Sequence, residues 1–320
     1  MPPVTDTAHA EGRPAAILIA GPTASGKSGL AAALARRFQG VVINTDSMQV
    51  YADLRRLSAR PSAMEEAHVP HRLYGHVDGA INYSAGHFAR EAASLLADIA
   101  REGVLPIFVG GTGLYFRALE EGLSELPMVP EAVRAAIRAQ AEGQPTEALH
   151  AAIAERDPEG AAALRPSDRA RVMRALEMFA ATGRPIAAFH GQRTPGPLAG
   201  LRLLKLFLAP ERETLRAAID ARFLAMIADG ALDEVAALRD RRLDPMLPIM
   251  RAHGVPGLIA YLDGTLDRDE AIRRGQADTR RYAKRQFTWF RHQMGPDWAW
   301  TAPEAALALA EARLTFLAGR

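Results

Sequence analysis

Gly21-Pro22-Thr23-Ala24-Ser25-Gly26-Lys27-Ser28 is the stretch on which the fold turns. It fits G-x-x-x-x-G-K-[ST] and stands where such a loop must stand, after the apolar run Ile17-Leu18-Ile19 and before a helical pattern from Gly29 to Phe38. Strand, glycine-rich turn and helix in that order make a phosphate-binding loop. Backbone N–H groups from Gly21 to Ser28 wrap two adjacent phosphates, the Lys27 ammonium neutralises them, and the positive end of the following helix faces the same anion. The Ser28 hydroxyl is the expected ligand for Mg²⁺. The loop does not say which diphosphate it holds.

With 320 residues the chain exceeds the usual single domain, so an α/β body with a smaller insertion is the natural expectation. Cysteine is absent, which excludes disulfides, thiolate nucleophiles and Cys-ligated zinc or iron–sulfur clusters. No apolar run is long enough to span a bilayer. Residues 1–13 carry Asp6, His9 and Glu11 with no hydrophobic core of a signal peptide, and are expected to be a disordered lead on a cytoplasmic protein. The net charge is only +2, but basic side chains gather at Arg165 to Arg174 and at Arg273 to Arg291. Such clustering on a near-neutral chain points to a polyanionic partner at one place, against the plainer alternative of a solvated helix face.

Val41-Val42-Ile43-Asn44-Thr45-Asp46 reads as a buried parallel strand ending in a carboxylate. Ligands of open α/β sheets bind at that carboxyl edge, which makes Asp46 the leading acid or base candidate, with capping of a helix over Ser47 to Leu54 as the structural alternative. His68, His71 and His76 lie close in sequence, but Pro70 interrupts any helix that would align them, so they read as loop or core histidines. A helix runs from Tyr83 to Arg101 with Ser84 as its cap. Leu105 to Val109 is a third strand, followed by Gly110-Gly111-Thr112-Gly113 where a typical P-loop ATPase would carry an Mg²⁺-binding Asp. Those glycines are expected to let backbone approach a ligand, with the Thr112 hydroxyl at the same edge as Asp46.

From Pro127 to about His190 no strand pattern appears, and short helices are expected over Glu131 to Gln140, Glu147 to Arg156, Asp168 to Ala181 and Pro185 to His190. Leu201 to Leu208 restores a strand, Glu213 to Ala228 is an amphipathic helix bearing Arg216 and Arg222, and a C-terminal helix follows over Pro303 to Leu317. The expected architecture is a P-loop NTPase-like parallel sheet flanked by helices, formed by 14–126 with 196–320, and an all-helical insertion over 127–195. Between them in interest lies Arg273 to Arg291. On a helix Arg274, Arg281 and Arg285 share one side, Arg273, Arg280 and Lys284 the adjoining one, and Tyr282 and Trp289 stand a heptad apart. Guanidinium groups, amides and flat rings mixed in this way suit phosphate contact and base stacking on looped nucleic acid, although such aromatics also serve as core.

Four motifs in order, Gly21 to Ser28, Asp46-Ser47-Met48-Gln49-Val50-Tyr51, Gly110-Gly111-Thr112-Gly113-Leu114-Tyr115 and Thr279 to Arg291, resemble the signature set of bacterial tRNA dimethylallyltransferases, and the match extends from about Pro14 to Trp300. The resemblance implies transfer of a dimethylallyl group from dimethylallyl diphosphate to N6 of adenine 37 in tRNAs reading codons that begin with U. It implies Asp46 as acceptor of the N6 proton, with Thr23, Lys27, Arg222 and Mg²⁺ on the leaving diphosphate. It implies contacts to the tRNA anticodon stem-loop from Asp46, Ser47, Met48, Gln49, Thr112, Arg171, Arg174, Arg251, Arg280, Arg281, Lys284, Arg285 and Gln286. A basic single chain wrapping one tRNA is expected to be a monomer. The sequence departs from the family pattern at Ala170, where a glutamine is expected, at Leu57-Ser58-Ala59-Arg60-Pro61, which replaces Gly-Thr-Ala-Lys-Pro, and at Met250-Arg251-Ala252-His253-Gly254, which varies a cysteine-bearing version. Two other readings use the same loop: a small-molecule or nucleoside kinase, and a nucleic-acid-binding ATPase or switch, the latter disfavoured by the missing strand-end Asp.

Overall fold

The structure, a computed structural model, describes residues 15–124, 126–189 and 193–318. The expected disordered lead and His190 lie outside these. Contacts divide the chain into two compact units, Met1–Glu120 with Gly196–Arg320, and Glu121–Pro195.

The first unit begins β1 (Ala16–Ala20), α1 (Lys27–Phe38), β2 (Gly40–Asn44), α2 (Ala63–His68), β3 (His71–Arg72), α3 (Ala85–Glu102), β4 (Leu105–Gly110) and α4 (Gly113–Glu120). In the second unit, β5 (Leu123–Ser124) pairs antiparallel with β6 (Arg193–Thr194) around α5 (Glu131–Ala141), α6 (Thr146–Ala154), α7 (Pro158–Ala162) and α8 (Arg169–Thr182). The first unit resumes with β7 (Leu203–Leu208), α9 (Arg212–Ala228), α10 (Ala231–Asp240), α11 (Val255–Leu262), α12 (Arg268–Gln293), β8 (Ala299–Thr301) and α13 (Pro303–Ala318).

Six strands form one sheet in the order β3-β2-β4-β1-β7-β8, every neighbouring pair parallel. The apolar runs without alternation follow from this, because both faces are covered. Leu18, Ile43, Phe108 and Phe207 point into one core with Phe88, Phe116 and Phe290 of α3, α4 and α12. Ile17, Ile19, Val42 and Ile107 point into the other with Leu30 and Leu34 of α1 and Ala306 and Ala310 of α13. β4 lies between β1 and β2, so the phosphate loop, Gly111 and Asp46 leave the sheet at one edge. Among the described residues no helix is long and apolar enough to cross a membrane.

The helix expected over Ser47 to Leu54 is absent. Asn44 intervenes: its Oδ1 accepts from the Asp46 N–H at 2.8 Å, and its Nδ2 donates to the carbonyls of Asp46 (2.9 Å) and Leu73 (3.0 Å). A local side-chain bond of this kind competes with helix formation, and the chain instead turns and returns to an isolated parallel bridge between Tyr51 and Val77. In the second unit the sequence pattern hid α7, capped by Asp157 with Pro158 behind it, and the ribbon Leu123–Ser124 with Arg193–Thr194, whose two-residue strands are too short to show alternation. Ile137, Leu149, Ile153, Val172 and Leu176 form that unit's own core.

The glycines at and after the end of β4 are also required by packing. A Cβ at Gly110 would overlap the Thr45 backbone, one at Gly111 the Gln286 amide, and one at Gly113 the Trp289 ring. They let α12 and the end of β2 close onto the β4–α4 turn. Gly113→Ala is therefore expected to lower the unfolding free energy by about 1–3 kcal/mol through overpacking, read as an earlier urea midpoint. Gly29→Ala, where added carbon meets open space in α1, should leave the midpoint unchanged or raise it.

Candidate active site

The phosphate loop is shaped by positive φ at Ala24 (62°) and Gly26 (83°), the latter standing at the N-cap of α1. Lys27 Nζ folds back to donate to the Pro22 carbonyl at 2.9 Å. Burial pushes the Lys27 ammonium down to about 8, with the Asp46 carboxylate opposing the shift and Arg222 adding to it. From α9, Arg222 Nη1 reaches Thr23 Oγ1 at 3.4 Å. Its guanidinium is also pushed down by burial, against the pull of Asp46 and Glu65. Two partly desolvated cations and a hydroxyl thus converge on one loop with one carboxylate close by, an arrangement that favours an incoming anion. The Ser25 hydroxyl is buried in the same loop with no hydrogen-bond partner among the described residues.

Asp46 sits just past β2. Its Oδ1 accepts from the Met48 N–H at 2.9 Å, which leaves Oδ2 without a protein partner among the described residues. Thr112 fixes this turn from the neighbouring strand end: its Oγ1 accepts from the Ser47 N–H at 2.9 Å and donates to Ser47 Oγ at 3.3 Å, while its own N–H reaches the Thr45 carbonyl at 3.2 Å. Gln286 of α12 ties the same region to the phosphate loop. Its Oε1 accepts from the Thr23 N–H at 3.3 Å and its Nε2 donates to the Gly111 carbonyl at 2.9 Å. The Tyr282 hydroxyl engages Thr112 and Gln286, and burial, followed by the Asp46 carboxylate, pushes this phenol up.

Thr23, Asp46 and Arg222 line a cavity of about 80 Å³. The rest of its wall is mostly apolar, chiefly Met48, Leu54, Leu57, Ile219, Phe223 and Met226, with polar groups from Ser58, His253, Thr279 and Tyr282. The His253 and Tyr282 rings lie 4.6 Å apart between centroids. Burial, and secondly Arg285, pushes the His253 imidazole down, which favours its neutral form. At roughly 10–15 Å³ per water, this is room for about five to eight waters, enough for a short hydrocarbon chain.

The residues expected to meet RNA divide by environment. Lys284 and Arg285 are exposed, the latter lying over the Tyr282 ring at 5.6 Å. Arg280 pairs with Asp220, and Arg281 with Asp278. Gln49 is spent on the chain itself, donating to the carbonyls of Ser58 (3.0 Å) and Ala59 (2.8 Å). Gln286 is buried, and its amide is engaged within the protein by the Thr23 N–H and the Gly111 carbonyl. Arg251 is exposed in a short 3₁₀ turn, Ile249–Arg251. In the second unit Arg171 pairs with Asp168 at 3.4 Å, and half-buried Arg174 lies 3.9 Å from Glu177. Phe223, Met226 and His253 were not singled out for the site from sequence, since nothing in a buried helix stripe or a loop histidine marks a cavity wall.

A parallel sheet with a phosphate loop, paired cations and a facing aspartate at its carboxyl edge defines a P-loop α/β enzyme. A family model described as IPP transferase matches residues 49–293, and the chain belongs to that family. A model described as zeta toxin matches residues 4–72, across the phosphate loop. The chain is 74% identical over 306 residues to a tRNA dimethylallyltransferase of Methylobacterium radiotolerans, covering 96% of this chain and 98% of the other. It is 72% identical over 309 residues to one of Methylorubrum extorquens, covering 97% of each. Among solved structures it is similar to the full-length tRNA isopentenylpyrophosphate transferase of Bacillus halodurans, with a TM-score of 0.66 and 32% identity over 95% of this chain and 97% of that one. It is also similar to a eukaryotic dimethylallyltransferase acting on tRNA, with a TM-score of 0.73 and 29% identity over 93% of this chain and 77% of that one.

The depressed Lys27 has a measurable consequence. A lysine titrating at about 8 is charged at pH 7 and loses its proton as the pH rises past 8, whereas a bound anion keeps it protonated. Through Lys27, affinity for Mg²⁺–diphosphate should therefore vary little with pH below 8 and fall above it, by at most about tenfold per pH unit. Calorimetric titration at pH 7, 8 and 9 checks this, with Lys27→Met showing only the ligand's own pH dependence.

Proposed function

We propose that the protein transfers a dimethylallyl group from dimethylallyl diphosphate to N6 of adenine 37 in tRNAs reading codons that begin with U, releasing diphosphate. The observation that carries this reading is the junction of an anion clamp, Lys27, Arg222 and Thr23, with a small, largely apolar cavity and a carboxylate at its rim. The clamp takes the diphosphate, and Met48, Leu54, Leu57, Ile219, Phe223 and Met226 enclose the five-carbon chain.

Catalysis then follows from charge. The N6 lone pair forms a bond to C1 of the donor, the C1–O bond breaks, its electron pair leaves on the diphosphate, and the N6 proton passes to Asp46. With Oδ1 held by the Met48 N–H, Asp46 Oδ2 is the atom that accepts it. Negative charge grows on the bridging oxygen in the transition state, so cations and hydroxyls fixed there beforehand lower the barrier directly. An adenine in the anticodon loop must leave its stack to reach Asp46. Ser47, Met48 and Thr112 border that entry. Arg251, Arg280, Arg281, Lys284 and Arg285 on the one unit, and Arg171 and Arg174 on the other, are the basic groups offered to the anticodon stem-loop, bound by a cytoplasmic monomer.

The donor chemistry fits Mg²⁺: Ser28 presents an exposed hydroxyl on the first turn of α1, and no cluster of three or more His, Asp or Glu able to cage a metal occurs among the described residues. A hard ion held by one hydroxyl and the substrate's own phosphates matches the habit of Mg²⁺. When bound, it would neutralise charge on the leaving diphosphate.

The test incubates the protein with Mg²⁺, unmodified tRNA and labelled dimethylallyl diphosphate, with ATP as competing donor. Label in RNA supports the reading; phosphate transfer from ATP to a small acceptor with no RNA labelling would sink it. Asp46→Asn is expected to lower kcat by about 10²–10⁴ with tRNA binding largely intact. Lys284→Ala should weaken tRNA binding and reduce the slope of log Kd against log salt by about one phosphate's share, as gel-shift or anisotropy titrations would show.

A further inference from the structure

We propose, resting on the donor reading above, that the ring of Phe223 is a fixed wall of the donor cavity and restricts the enzyme to a five-carbon chain. α9 presents Ile219, Arg222, Phe223 and Met226 to the cavity, the spacing of one helical face. Arg222 marks the diphosphate end through Thr23. A donor chain leaving that end meets the apolar members of this stripe, of which Phe223, the residue next to Arg222, is the bulkiest.

What makes Phe223 a wall rather than a movable side chain is the seat behind it. The ring tip packs on Gly275 of α12 so closely that a Cβ there would lie 2.1 Å from Cζ, and on Gly254, where an added Cβ would lie 3.0 Å from ring atoms Cε2 and Cζ. Gly275 stands in the interior of a 26-residue helix, where glycine is disfavoured relative to alanine by about 1 kcal/mol. Gly254 has φ of 96°, a conformation that favours glycine. Two backbones thus close off the space into which the ring could retreat, and the residue is 3% exposed. A ten-carbon donor would need room that the ring fills, and a packed core resists such displacement.

The experiment measures kcat/KM for dimethylallyl and geranyl diphosphate with tRNA as acceptor, for the wild type, Phe223→Ala and Phe223→Leu, with circular dichroism on each. Since one misplaced methylene in an apolar pocket is worth roughly 10–200-fold, the wild type should favour the five-carbon donor by at least 100-fold. Phe223→Ala should cut that preference at least tenfold and yield geranylated RNA detectable by mass spectrometry. Phe223→Leu, which keeps the site filled and guards against loss of folding, should shift the preference in the same direction by less. Folded variants that retain the wild-type preference would overturn the assignment, as would a wild type that uses both donors equally. Labelling of RNA by the five-carbon donor in the wild type reports on the donor reading independently of either result.

Discussion

The side-chain amide of Gln286 joins the phosphate loop to the neighbouring strand end, and the site depends on that joint. By accepting from the Thr23 N–H and donating to the Gly111 carbonyl, it sets the spacing between the residue that meets Arg222 and the turn that holds Asp46. An amide can do both at once because it carries acceptor and donor on one rigid plane. The joint requires α12 to lie directly on the β4–α4 turn, and the absence of side chains at Gly111 and Gly113 follows from that requirement. The helix buries only a narrow set of positions, among them Ala271, Gly275, Ala283, Gln286 and Phe290. Its arginines are left to the other faces, where Glu270, Asp278 and Asp220 balance several of them.

The loop itself shows function taking precedence over stability. Burial disfavours the charge on both Lys27 and Arg222, and Arg222 adds to the cost at Lys27 while Asp46 relieves part of it at each. A fully balanced loop would bind an anion weakly. Leaving the positive side in excess prepares the site for diphosphate, whose arrival satisfies both cations together.

Much of this was legible in the amino-acid sequence because the deciding signals are local. Apolar runs buried on both faces announce β1, β2 and β4, the glycine-rich loop announces its own helix, and Ser84 announces α3 through a capping box with His87. Position 46 at a strand's end was readable for the same reason. The features that escaped depend on contacts distant in the chain or on very short elements. The expected helix after Asp46 was lost to the Asn44 carboxamide, one of whose bonds reaches Leu73. Gln286 stands in a basic stretch expected to meet RNA, and its buried role appears only when Thr23, far away in sequence, is brought alongside. The Phe223 slot needs Gly254 and Gly275 together, and neither glycine signals it alone.

The missing strand-end aspartate has a steric cause that also accounts for the position of the base. In P-loop enzymes that use a nucleoside triphosphate, a carboxylate at the end of the strand beside the loop holds the metal. Here that strand, β4, ends at Gly110, and the Thr45 backbone passes so near that a Cβ could not be accommodated. No side chain of any kind can project from that point. The crowding arises because β2 continues past Asn44 across the edge, with the Thr45 N–H donating to the Val109 carbonyl at 2.8 Å. The same continuation carries Asp46 to the cavity rim. One backbone path therefore removes the carboxylate from the place where it would serve a metal and supplies another where it can take a proton. A loop shared with nucleotide-binding proteins is thereby fitted to clamp a leaving diphosphate instead of delivering a phosphate.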